Sequence, residues 1–167
     1  MASVILYTNH GEIILSLNEQ SAPNTTKNFL RYVKEGFYDN TLFHRVIPGF
    51  MVQAGGLTLD MASKKTYDPI ANEAQTGCKN TIGTIAMART ADPHSATSQF
   101  FINVAHNSFL DFKSENDQGW GYCAFGKVIE GMDIVNNISR VNTISRAGHQ
   151  DVPEKDIILE KAELSIE

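Results

Sequence analysis

Pro48-Gly49, in the middle of the apolar stretch from Phe43 to Gly56, is the strongest local constraint on this chain. Proline removes a backbone donor and clashes with the preceding turn, so His44, Val46, Phe50 and Val52 cannot form one helical stripe across it. The stretch reads instead as two short strands, about Leu42 to Val46 and Phe50 to Ala54, joined by a Pro-Gly turn. In the second strand, alternation sends Phe50, Val52 and Ala54 to one face and Met51 and Gln53 to the other. Arg45 is a fixed cation a few residues from Phe50 and Met51. Pointed the same way, it sets an always-charged planar donor over an apolar floor, an arrangement suited to a substrate that is apolar but develops a lone pair. The spacing equally allows a half-buried strand whose arginine simply reaches water.

The rest of the chain supplies similar short β runs. Val4 to Thr8 and Glu12 to Leu17 flank Asn9-His10-Gly11, which has the residues of a tight hairpin turn. Pro23 suits the first turn of a helix that Gly36 would stop, with Phe29, Leu30 and Val33 as its buried stripe. Leu57 to Cys78 is polar and irregular and reads as a long surface excursion. Thr84 to Ala88 and Gln99 to Val104 are β-like around a loop whose Asp92-Pro93-His94 marks a turn. Cys123 to Ile129 reads as strand, and Gly131 to Arg140 as a second helix carrying Met132, Val135 and Ile138. Ile157, Leu159, Ala162, Leu164 and Ile166 suggest a closing strand with a break in phase near Glu160 to Lys161. Many short strands with two helices suit a mainly β protein, a closed antiparallel barrel capped at both ends.

Composition narrows the function classes. With 167 residues, 42% of them hydrophobic, the chain suits a single domain spanning 1–167 with a sizeable core. A net charge of -5 argues against nucleic-acid binding, which asks for a basic stripe. No apolar run approaches the ~18 to 20 residues needed to cross a bilayer. The start, MASVILYTNHGEI, lacks a basic segment ahead of its apolar residues and reads as strand rather than signal peptide. Cys78 and Cys123 show no metal-ligand spacing and fit two reduced thiols in the cytoplasm. Nothing resembles a spare apolar face, so a monomer is expected.

Three long motifs carry a resemblance: FHRVIPGFMVQ, SQFFI (Ser98 to Ile102) and FGKVIEGMD (Phe125 to Asp133). Together they resemble the cyclophilin family of peptidyl-prolyl cis-trans isomerases, in the family's order and over essentially the whole chain. TNHGEI, EGFYDNTLFHRV and ARTADPHSATSQFFINV are similar to the short bacterial cytoplasmic type. The resemblance implies a closed eight-stranded antiparallel barrel capped by two α-helices. It also implies catalysis of rotation about X-Pro bonds, with proline-containing peptides and unfolded or nascent proteins as partners.

Rotation about an X-Pro bond faces a barrier near 20 kcal/mol because the twisted amide loses its resonance, yet no covalent bond breaks. Neither metal nor cofactor is required, and the chain offers no convincing nucleophile or base. In the twisted state the prolyl nitrogen regains its lone pair, so a donor aimed at it binds that state better than either planar one. Arg45 is the candidate donor. By resemblance, Phe50, Met51, Phe101 and Leu110 line the proline pocket. Gln53 bonds the substrate backbone and steadies the arginine, while Gln99 forms a second polar wall. Ala88 and Arg89 meet the residues before proline, largely through backbone groups.

Departures from the family pattern matter as well. Phe109 stands where many eukaryotic members have a tryptophan whose indole N–H binds cyclosporin, so weak cyclosporin binding is expected. Tyr122 replaces a histidine beside the pocket. Ala54 and Gly56 replace a glycine and an acidic residue, which puts the local turn in doubt. Trp120 reads as a loop packing residue, and His44 as structural rather than catalytic. Two other classes stay open at this point: a proline-binding adaptor using the same groove without turnover, and a barrel whose arginine and phenylalanines are incidental.

Overall fold

The computed structural model describes residues 2–165. β1 (Ser3–Thr8) and β2 (Gly11–Leu17) form the expected opening hairpin, in register from Ser3 opposite Ser16 to Thr8 opposite Gly11. Alternation builds it: Val4, Leu6, Ile13, Leu15 and Leu17 are all buried, with more exposed residues between them. α1 (Pro23–Lys34) begins on its proline and ends before Gly36, which adopts a positive φ of 70°. Phe29 and Val33 are buried as the periodicity predicts, together with Tyr32. The residue preceding α1, Ala22, offers no capping side chain. The loop residue Glu73 does so instead, accepting hydrogen bonds from the backbone of Asn24 (3.3 Å) and Thr25 (2.7 Å).

β3 (Thr41–Leu42) and β4 (Arg45–Ile47) split the first strand expected around Pro48-Gly49, with Phe43 and His44 between them. β4 then pairs with β5 (Met51–Ala54) as the sequence implied. Ile47 accepts from the backbone of Phe50 across the turn, and Gly49 has the positive φ, 74°, that a type II Pro-Gly turn requires. β6 (Thr84–Met87), β7 (Phe100–Asn103), a 3₁₀ turn (Ser108–Leu110), β8 (Ala124–Glu130) and α2 (Met132–Ser139) follow. β9 (Thr143–Arg146) and β10 (His149–Pro153) make a separate ribbon that the sequence reading missed. Its turn has positive φ at both Ala147 and Gly148, the backbone of a tight hairpin, but alanine at the first position hides the signal. β11 (Ile158–Ser165) closes the chain. Its register jumps between Tyr7 opposite Lys161 and Thr8 opposite Leu159, a bulge at the expected phase break. Ile166, read as the end of that strand, lies outside the described residues.

The strands form one curled antiparallel sheet of nine, in the order β3-β11-β1-β2-β8-β6-β7-β5-β4. This corrects the expectation of eight strands closed by hydrogen bonds, because no ladder among the described residues joins β3 to β4. The two edges are nevertheless consecutive in the chain. Only Phe43 and His44 separate them, so the sheet must curl until its ends lie within about 10 Å. Its inner face holds the main core, in which Phe29, Tyr38 and Phe100 meet with ring centroids 5.4 Å apart. The excursion from Leu57 to Cys78 is irregular as expected but not wholly superficial. Leu57 and Met61 pack with Leu42 and Val152 into a small second core.

Candidate active site

Alternation along four neighbouring strands sorts residues between that core and the outer face. In β5 and β7, Val52, Ala54, Phe100 and Ile102 point inward. Met51 and Phe101 belong to a separate apolar cluster with Ala86, Leu110 and Ala124. Register completes the outer face, since Arg45 lies opposite Gln53, Gln53 opposite Phe101 and Met51 opposite Asn103. Phe50 corrects the expected alternation. It falls in the turn just before β5, outside the pleat, and packs with Met51 rather than with Val52.

A recess of about 320 Å³ opens on this face. Its floor is Met51, Phe101 and Leu110, all buried, and its rim includes Phe50 and Phe109. Phe109 is 62% exposed and stacks on Phe50 with centroids 5.8 Å apart. Tyr122 meets Phe101 edge to face at 5.7 Å and forms another wall. Arg45, Gln53 and Arg89 supply the polar side, and Ala88 lies next to Arg89 in the lining.

Arg45 is exposed, and its guanidinium lies 3.5 Å from the Gln53 Oε1 that accepts from it. Gln53 in turn donates through Nε2 to Gln99 Oε1 at 2.9 Å. Gln99 does not line the apolar recess. It lines an adjoining polar recess of about 170 Å³ that shares Gln53, Ala88 and Arg89. Gly56 accounts for that placement: a Cβ there would come within 2.5 Å of the Gln99 side chain. The glycine that replaces an acidic residue thus makes room for the amide.

Arg89 does more than present backbone. Its Nε and Nη2 donate to the Gly121 carbonyl at 3.1 and 2.9 Å, Nη1 donates to the Thr90 carbonyl, and the guanidinium lies 4.4 Å from the centre of the Tyr122 ring. Tyr122 is therefore held by both a cation and the Phe101 ring. Gly121 has φ +69°, and a Cβ on it would meet the Leu110 carbonyl at 2.5 Å, so only glycine lets these two segments close the wall.

Other singled-out residues lie elsewhere. Trp120 packs in the loops between His94 and Phe112, with centroids 4.8 and 5.3 Å away. His44 is buried behind β4, edge to face with His149 at 5.8 Å. Burial first, then the charges of His149 and Arg45, hold its pKa down at about 4. Both cysteines are free thiols, and burial pushes Cys123 up to about 11. Among the described residues no group of three or more His, Cys, Asp or Glu is placed to hold a metal ion. No helix among them is long and apolar enough to cross a membrane. The sequence reading missed the polar side chains next to the recess, Asn80, Asn103 and Asn107, all buried. The available signal was Asn103 itself, a strand-disfavouring amide inside the apolar run FFINV.

A curled antiparallel sheet with an arginine and an amide above an outer apolar recess defines the class, and the comparisons agree. Residues 3–164 match the family model described as cyclophilin type peptidyl-prolyl cis-trans isomerase/CLD, and the chain belongs to that family of enzymes. It is 56% identical to the peptidyl-prolyl cis-trans isomerase B of Escherichia coli (strain K12) over 162 residues, covering 97% of this chain and 99% of that protein. It is 51% identical to the peptidyl-prolyl cis-trans isomerase A of Dickeya dadantii (strain 3937), covering 96% and 83% respectively. Among solved structures it resembles a Cryptosporidium parvum cyclophilin type isomerase crystallised in the presence of the dipeptide Ala-Pro. That likeness has TM-score 0.76 and 27% identity, and it covers 99% of both chains.

Proposed function

We propose that X-Pro bonds rotate in the 320 Å³ recess, with the proline ring on Met51, Phe101 and Leu110 and the prolyl nitrogen facing Arg45. The observation that carries this reading is the pairing of Arg45 with Gln53 across β4 and β5 on the same face as the apolar floor. The apolar walls bind the ring in either isomer. Arg45 has little to bond in a planar amide, whose nitrogen lone pair is delocalised, and gains an acceptor as the bond twists. Raising an uncatalysed rate of roughly 0.01 per second to about 10 per second takes ~4 kcal/mol of such differential binding. One or two charge-assisted hydrogen bonds of about 1.5 to 3 kcal/mol each, with the pocket, are of that size. Gln53 steadies the guanidinium and keeps a second amide N–H to give the substrate backbone beside its bond to Gln99, while Ala88 and Arg89 meet the residues before proline.

The solved relative crystallised with Ala-Pro supports proline-containing peptides as the ligand class. Exposed X-Pro bonds of unfolded or nascent chains are the matching substrates, since their isomerisation limits folding. Two free thiols suit work in a reducing compartment such as the cytoplasm. The test is cis-trans exchange of a short Ala-Pro-Phe peptide followed by NMR. The wild type is expected to accelerate exchange, and Arg45→Ala to lose tenfold or more (about 1.4 kcal/mol) while keeping its melting temperature. Peptide binding at the uncatalysed exchange rate would make the groove an adaptor site instead.

A further inference from the structure

Next to the recess, bonded to its backbone without lining it, lies a chain of three buried amides. Asn80, Asn103 and Asn107 are 1%, 0% and 4% exposed. Asn107 Nδ2 donates to Asn103 Oδ1 at 2.8 Å, and Asn103 Nδ2 donates to Asn80 Oδ1 at 3.1 Å and to Thr84 Oγ1 at 2.9 Å. The amides therefore run in one direction, the oxygens of Asn103 and Asn80 each taken by the nitrogen of the amide before it.

The two ends of the chain grip the recess. At one end Asn107 Nδ2 also donates to the carbonyl of Phe50 at 3.0 Å. At the other, Asn80 Nδ2 is shared among the carbonyls of Leu110 (3.3 Å) and Tyr122 (3.1 Å) and the Asp111 carboxylate (3.1 Å). Phe50 on the rim, Leu110 on the floor and Tyr122 in the wall of the recess come from a turn, a 3₁₀ segment and a loop. Leu110 and Tyr122 are joined directly, the Tyr122 N–H donating to the Leu110 carbonyl at 2.8 Å, but no strand ladder ties this pair to Phe50, whose carbonyl also accepts from the Val104 N–H at 3.0 Å. Asn103 ties the chain to the sheet, opposite Met51 on the floor.

We propose that Asn80, Asn103 and Asn107 are positioning residues for the isomerisation, holding Phe50, Leu110 and Tyr122 at one spacing so that the proline ring stays still while its amide twists. The proposal rests on the reading of the recess as the reaction site. Planar substrates, cis or trans, fit walls that can give a little. The twisted state needs the ring fixed while Arg45 meets the nitrogen, because a ring that follows the rotation carries its lone pair away from the donor. A buried amide chain suits this role better than apolar packing, since its partners are fixed in direction as well as distance.

The experiment measures NMR exchange of the Ala-Pro-Phe peptide across a range of concentrations, separating kcat from KM, for Asn103→Ala and Asn107→Ala. Thr41→Val serves as the control. Its hydroxyl also makes a buried hydrogen bond, to the Tyr38 carbonyl at 2.8 Å, but on β3 outside the recess. The expected result is a kcat about tenfold lower in both asparagine variants with KM within about twofold, while Thr41→Val keeps wild-type kcat at a comparable drop in melting temperature. An unchanged kcat, or a rise in KM alone, overturns the proposal. If Asn103→Ala does not fold, Asn107→Ala, at the edge of the chain, decides alone. Arg45→Ala run alongside separates the two readings: full activity there would move the reaction site elsewhere, whatever the asparagines do.

Discussion

Neighbours in the chain have opposite environments: Arg45 is exposed at the recess, and His44 is buried away from it. The fold holds His44 neutral, with a pKa of about 4 against an ordinary 6.5. An unfolded chain takes up that proton as pH falls through 6.5, whereas the folded one resists until about 4. The neutral imidazole's contribution is therefore complete above 6.5 and is lost between 6.5 and 4, to the extent of about 3 kcal/mol at most. Thermal melts at pH 5 and 7.5 should show the lower stability at pH 5. An arginine keeps its proton throughout this range, so kcat/KM is expected to be flat from pH 6.5 to 9. A sigmoid in that window would implicate a titrating group and count against the arginine mechanism. Phe109 carries a second residue-scale expectation. It is 62% exposed on the rim and has no N–H to give, so cyclosporin should inhibit only weakly, and nanomolar inhibition of the wild type would contradict this.

Among the elements, those whose signals are local were legible and those held by distant partners were not. The opening hairpin, both helices and the Pro48-Gly49 turn follow from period and turn chemistry within a few residues. The split of the first strand at Phe43-His44 and the β9–β10 ribbon arise from what the neighbouring chain packs against, which a linear reading does not contain. The start of α1 shows the same division. Pro23 announced it, but the cap is Glu73, about 50 positions later in a segment read as surface excursion. Its carboxylate accepts from two backbone N–H groups and from the Thr25 hydroxyl at 2.7 Å, so it both caps the helix and pins the long loop to it. Glu73→Ala is expected to cost about 1 to 2 kcal/mol. That lowers the melting temperature by roughly 2 to 8 °C for a domain of this size. Glu73→Gln, which keeps acceptors but not charge, should recover part of the loss.

For the whole molecule, the site was more legible than its support. Arg45, Phe50, Met51, Gln53 and Phe101 lie in the long motifs and Leu110 follows from the family resemblance, and the fold brings all six to one recess. Gln99, expected as a second polar wall, lines the adjoining polar recess, with room left by the absence of a Cβ at Gly56. The asparagine chain was missed because its meaning lies in three carbonyls from remote segments. The inner and outer faces of β5 and β7 carry a further consequence, one of heredity. Even-numbered positions there (Val52, Ala54, Phe100, Ile102) serve the core, and odd ones (Met51, Gln53, Phe101, Asn103) the outer face. Deleting one codon within either strand swaps the two sets past the deletion, turning an amide into the apolar core and core side chains out toward the recess. Such a deletion in β7 should abolish cooperative melting, whereas one in the exposed stretch 115–118 should leave it nearly intact. Lineages of this protein can thus exchange letters in these strands far more freely than they can change their length.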